Sequence, residues 1–236
     1  MRPLGAEKTM QPDESPFPTF WWGTSLENVG LESVRPHVGT YGRYKFAQLP
    51  PVPFQMRGEL DWLAAAHPHE LNIGKDKATE NANALKALHT ASEVLGLRLP
   101  AVFTKFMGTH SLQERIRSNT DCFLDLSPTP VRSPLGVGYL VRFLADSQGC
   151  VFWYLYLTAD GLDHAVVSSP DFYGNEIERG QTEEPDPKNI VFSAESFEIF
   201  LCRFWLENEI WFAKYEKTPM PDVGIAYIEQ YQRRQT

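Results

Sequence analysis

The stretch Gly138 to Pro170, GYLVRFLADSQGCVFWYLYLTADGLDHAVVSSP, leaves the chain little freedom in what it can fold into. It holds two dense runs of β-forming residues, Tyr139 to Ala145 and Cys150 to Leu157, joined by Asp146-Ser147-Gln148-Gly149. A third run, His164 to Ser168, follows an Asp160-Gly161 turn. Short runs rich in Val, Phe, Tyr and Trp, punctuated by Gly and Asp, spell an antiparallel meander. Alternation sends Val151, Trp153, Leu155 and Leu157 to one face and Phe152, Tyr154 and Tyr156 to the other. Neither face is polar, so something must cover both.

The covering elements are sought on either side of the meander. Residues 79 to 95 read as a helix with Thr79 as N-cap, Leu85, Leu88, Ser92 and Leu95 on one face, and Gly96 where a left-handed C-terminal residue belongs. Pro100 suits a first helical position, and Val102, Phe103, Phe106 and Met107 make the core stripe of a second helix. Residues 108 to 120 read as irregular, and Cys122, Leu124 and Leu126 alternate as a first strand. Beyond the meander, Ser193 is the expected N-cap of a last helix from about Ala194 to Tyr215, striped by Phe197, Phe200, Leu201, Phe204, Trp211, Phe212 and Tyr215. Asn208 falls inside that stripe, where a buried amide must find partners. Ile199, Leu206, Ile210 and Ala213 form a second apolar stripe half a turn away. Either the N-terminal segment covers it or a partner does.

That N-terminal segment, Phe17 to Pro53, sets Phe17, Phe20, Trp21, Trp22, Tyr41, Tyr44 and Phe46 among many Gly and Pro residues. A disordered tail is poor in aromatics, so the segment is expected to dock on the domain. Its Leu49-Pro50-Pro51-Val52-Pro53 run reads as a rigid connector rather than a PPII ligand. The division expected is a docked extension over 1–79, a core domain over 80–216 and a C-terminal tail over 217–236.

Charge and cysteine usage bound the function. With 30 acidic against 22 basic residues the formal charge is -8, which argues against nucleic-acid binding and suits a basic partner. Cys122, Cys150 and Cys202 are odd in number and far apart, each within an apolar pattern, so they read as reduced thiols of a cytoplasmic protein. The opening MRPLGAEKTMQPDESP has no apolar stretch, and the run Val151 to Leu157 is too short to cross a bilayer, so no membrane role is expected. His67-Pro68-His69-Glu70, with His89, is the one stretch resembling a metal site; its spacing is not that of a zinc site, and a solvated turn is the plainer reading.

Leu95, Gly96, Leu99, Pro100, Phe103 and Phe106, then Trp153, Tyr154 and Leu155, then Ser193, Ser196, Phe197, Phe200 and Leu201 together give a pattern that resembles the SUKH superfamily. That superfamily includes cell-wall assembly regulators and bacterial toxin-immunity proteins. The likeness covers about Glu80 to Tyr215. The chain departs from it after the first core helix, where Met107-Gly108-Thr109-His110-Ser111 replaces an Asn-Gly type of turn. The resemblance implies an α+β fold, an antiparallel sheet of about four to six strands packed against N-terminal and C-terminal helices. It also implies no cofactor, no catalysis and work done by binding another protein, such as a basic toxin effector of nuclease type. A regulatory scaffold role is the alternative within the same superfamily.

The expected contact surface is the acidic loop Asp171 to Asn189 with the turn that precedes it, carrying Asp160, Asp163, Asp171, Glu176, Glu178, Glu183, Glu184 and Asp186, with Phe172 and Tyr173 as apolar anchors. A solvated loop is the plainer alternative. A hydrolase would need a nucleophile, and the one arrangement available is Cys150 with Asp163 and His164.

Overall fold

The computed structural model describes residues 8–31, 39–174 and 185–235. In chain order its strands are β1 (Lys8–Thr9), β2 (Phe20–Thr24), β3 (Tyr41–Lys45), β4 (Phe123–Leu124), β5 (Val131–Arg132), β6 (Tyr139–Ala145), β7 (Phe152–Leu157), β8 (Asp163–Ser169) and β9 (Val191–Ala194). The helices are α1 (Asp61–Ala64), α2 (Ala78–Val94), α3 (Ala101–Met107), α4 (His110–Gln113), α5 (Phe197–Glu216) and α6 (Asp222–Gln235). The fold is α+β.

The meander is the centre of the main sheet, β6 pairing β7 and β7 pairing β8, all antiparallel. On one side β4 and β5 pair successive parts of β6; on the other, β9 pairs the later half of β8. Lys8 and Thr9 add a short parallel strand to the first half of β8. Gly138 enters β6 with φ +71°, and a Cβ there would stand 2.5 Å from both the Leu157 carbonyl and the Tyr156 ring, so no other residue fits without movement.

Each face of the sheet has its own cover. Val151, Trp153, Leu155 and Leu157 lie under α3 and α5, where Phe143, Phe197 and Phe103 meet edge to face at 4.9–6.1 Å. A register shift between Arg142 and Leu144 brings Phe143 and Leu144 into this same core, which strict alternation would have put on opposite faces. Tyr154 and Tyr156 pack instead with Met10, Phe17, Tyr173, Ile190 and Phe192. That second face is covered by irregular chain rather than by helices.

The N-terminal aromatics are built into this arrangement. β2 and β3 form an antiparallel hairpin beside β9, anchored by a bridge from Thr19 to Phe192. Trp21 is buried against Phe200, and its indole donates to Glu207 at 2.8 Å. The second stripe of α5 is buried at Leu206, Ile210 and Ala213. Part of its cover is α6, so residues 222–235 are not a tail. Val223, Tyr227, Ile228 and Tyr231 recur at helical spacing, and a Cβ at Gly224 would touch Ile210 at 3.2 Å.

Three helix boundaries differ from the sequence reading. The cap of α5 is Ser196, whose hydroxyl accepts from the Ile199 amide, while Ser193 belongs to β9 and bonds Ser168 through their hydroxyls at 2.7 Å. Lys77, not Thr79, precedes α2, and Pro100 is the residue before α3 rather than its first. Gly96 does close α2 in the left-handed region at φ +68°. Residues 110–113 form a short helix within the segment expected to be irregular.

Candidate functional site

The acidic loop leaves the sheet at the end of β8 and returns through a 3-10 turn, Pro187–Asn189, into β9. Its two stems are tied to one another. The Asp171 carboxylate accepts from the Asp186 amide at 3.0 Å and from the Asn189 side chain at 2.9 Å. The Tyr173 hydroxyl donates to the Asp186 carbonyl at 3.1 Å. Beneath them the buried Tyr154 hydroxyl accepts from the Tyr173 amide at 2.9 Å and donates to the Asp171 carbonyl at 3.1 Å. Burial pushes the phenols of Tyr154 and Tyr173 well above their ordinary range, so both remain hydroxyl donors.

The neighbouring side chains stiffen this root. Phe172 lies with its ring 4.3 Å from the Arg142 guanidinium and edge-on to Phe152 at 5.4 Å. Arg142 is itself fixed by a two-pronged bond to Asp125, with Nε to Oδ2 at 2.6 Å. Tyr173 is part of the core beneath the sheet and only 8 % exposed, so it supports the loop from below. Phe172 is the half-buried member of the pair.

Asp171, Phe172, Tyr173 and Asp186 therefore come together. Asp160 and Asp163 do not join them, because they sit at the opposite end of β8. At about 3.3 Å per residue the strand puts the two ends about 20 Å apart. Asp160 instead closes the β7–β8 turn, accepting from the Thr158 hydroxyl at 2.6 Å and the Leu162 amide at 3.1 Å. Nearness in sequence misled here because a strand lies between the two loops. Glu176, Glu178, Glu183 and Glu184 lie outside the described residues.

The other candidate sites fare as follows. Cys150 precedes the end of β7 that pairs with Ser169, whereas His164 pairs with Leu157 at the other end, again about 20 Å away. Burial, and then the nearby Asp146 carboxylate, push the Cys150 thiol up, away from the thiolate a nucleophile needs. His69 contacts Glu209 at 3.3 Å, a carboxylate also gripped by Arg117. Burial opposes the charge on Glu209, but the bonds from His69 and Arg117 prevail and hold its carboxyl below the usual range. His67 and His89 are exposed. Among the described residues no three His, Cys, Asp or Glu side chains gather as a metal site.

The structure also holds a cavity that the sequence did not announce. It measures about 380 Å³ and lies between the start of β8 and the N-terminus of α5, lined by Thr9, Arg57, Glu59, His164, Ser196 and Glu198. Glu198 accepts from the amides of Gly58 and Leu60 and from the Trp62 indole, so it is a clamp on the 58–62 turn. Burial drives the His164 imidazole down to about 4, and its Nε2 is enclosed without a hydrogen-bond partner.

Among the described residues no helix is long and apolar enough to cross a membrane. Compared with protein-family models, with curated proteins and with solved structures, the chain matches none of them.

Proposed function

We propose that this protein works by binding a basic protein partner through the acidic loop whose stems meet at Asp171 and Asp186. The observation that carries this reading is the clasp of Asp171, Tyr173, Asp186 and Asn189, because it fixes two carboxylates where the acidic stretch leaves and rejoins the sheet. Four glutamates and a single arginine fall between those stems. A surface of that sign speeds encounter with a basic partner and disfavours nucleic acid. The SUKH-like pattern, taken with the α+β fold, supports the narrower reading of an immunity protein that occupies the basic site of a toxin effector, a nuclease being the natural type. On this reading catalysis, a cofactor and a membrane have no part, and the protein acts in the cytoplasm, where Cys122 and Cys202 stay reduced.

The test is binding to the basic products of neighbouring genes by calorimetry and stopped flow. Affinity should fall steeply between low and physiological salt. Glu183→Lys with Glu184→Lys should slow association about tenfold or more while leaving the melting temperature unchanged. Salt-independent binding, or an unchanged association rate in the double variant, would remove the loop from the interface.

A further inference from the structure

We propose that the solvent-facing side of α2 is a contact between two copies of this chain, which lie antiparallel along it about a two-fold axis near His89. The inference concerns a different element from the acidic loop and does not depend on what that loop binds.

α2 is held to the rest of the fold by a narrow face: of its 17 residues only Asn81, Leu88 and Ser92 are buried. On the opposite side Asn83, Ala87, Thr90 and Val94 recur at the alternating four- and three-residue spacing by which one helix packs along another, and all four are exposed. Val94 is 82 % exposed. Beside this seam runs an apolar groove of about 650 Å³, with Thr129 and Pro130 as its far wall. A helix with its back in water ordinarily carries charge along that line. Here Ala87 and Thr90 stand at the centre, small enough to let a second helix come close.

The order of charges selects the occupant. From Ala78 to Arg98 the chain carries Glu80, Lys86, Glu93 and Arg98 and no other Asp, Glu, Lys or Arg. All four are exposed. Glu80 meets Lys77 at 2.8 Å, while among the described residues no ion pair engages the other three. The order is minus, plus, minus, plus, and it is symmetric about position 89. A two-fold axis there sets Lys86 against the partner subunit's Glu93 and Glu80 against the partner subunit's Arg98. Lys86 and Glu93 stand one heptad apart, about 20° from alignment, so they share one flank of the seam. In an isologous contact that flank meets itself reversed, and the Lys–Glu pairing occurs twice. A parallel copy in register would set like charge on like. The dipoles of two antiparallel helices also attract. The formal charge of -8 on each copy opposes association from a distance, but physiological salt screens it beyond about 8 Å, whereas side chains in contact are screened less. A helix of 17 residues is about 25 Å long, so the contact falls at the small end of the interface range and the dimer dissociates readily.

Sedimentation of the full chain at physiological salt tests this. A reversible monomer–dimer equilibrium is expected, with Kd between about 10 µM and 1 mM. Lys86→Glu alone, or Glu93→Lys alone, sets like charges together at both symmetry-related contacts and should weaken the dimer about tenfold. Carrying both changes in one chain restores the complementary order, and should return Kd to within about threefold of wild type. Ala87→Arg puts a long charged side chain at the centre of the seam and should leave only monomer. All three positions are exposed, so the melting temperature of the monomer should not move. A chain that stays monomeric up to about 1 mM overturns the proposal. So does a dimer that survives Ala87→Arg, which uses another face, or a double charge swap that associates no better than the single ones.

Discussion

Asn208 shows what a polar residue does inside an apolar stripe. Its side-chain oxygen accepts from the Asn119 amide and its nitrogen donates to the Phe204 carbonyl, both at 2.8 Å, so it ties the 117–121 loop to α5. Asn208→Leu gains apolar surface but leaves the Asn119 amide without its partner, and should lower unfolding free energy by about 1 to 3 kcal/mol in urea titrations. No loss would mean that the loop reaches another acceptor. His164 predicts a pH dependence. Burial lowers its imidazole to about 4, outweighing the nearby Asp163, whereas an unfolded histidine titrates near 6.5. The unfolded chain then takes up the proton first, so stability is complete above pH 6.5 and is lost as the pH falls from there to about 4. The loss amounts to about 3 kcal/mol. His164→Leu should flatten the wild-type slope across that window in matched denaturation curves; an unchanged slope would assign the effect to other groups.

At the scale of elements, the strands and most of the core stripes were legible and the junctions were not; Leu95 and Tyr215, counted into the stripes at the ends of their helices, are exposed. The three strands of the meander begin and end within two residues of their pattern, because period-two alternation in aromatics and β-branched residues has one economical solution. The bulge at Phe143 breaks that alternation from within, and nothing in Tyr139 to Ala145 marks it. Ser193 and Ser196 are both sound caps chemically; pairing of Val191–Ala194 with β8 decides for the second. α6 was overlooked although Asp222 at its start and the spacing of Val223, Tyr227 and Tyr231 carry the signal. Its role is specific. The Tyr227 hydroxyl accepts from Arg203 at 2.9 Å and donates to Glu207 at 2.8 Å, while Arg203 also holds the Pro50 carbonyl. Tyr227→Phe therefore leaves two buried charged groups short of a shared partner and should cost about 2 to 3 kcal/mol in chemical denaturation, far more than an exposed Tyr→Phe change. A neutral result would show that the helix is held by its apolar contacts alone. As for the candidate site, Asp171 through Tyr173 could be read as one cluster with Asp186. The distance to Asp160 and Asp163 could not, since it depends on which way β8 runs.

At the scale of the whole molecule, the sheet has one helical face and one face covered by irregular chain, and the N-terminal third serves both. Met10 and Phe17 close the second face, while Trp21 and Leu26 enter the first. Removing residues 1–60 strips both covers and leaves Glu207 without its indole donor. The truncated chain should melt more than about 10 °C lower, or fail to stay in solution, in a thermal-shift comparison. An unchanged melting point would make this third of the chain dispensable. The bond between Trp21 and Glu207 spans 186 positions of sequence. A ribosome adding about 5 to 20 residues per second takes about 10 to 40 s to cross that span. During that interval the hairpin carrying Phe20, Trp21 and Trp22 is outside the exit tunnel while its docking wall is still unmade. A segment made well before its docking wall is thus among the last to find its place, and the yield of native protein will depend on how well the cell's holdases shield that hairpin until α5 emerges.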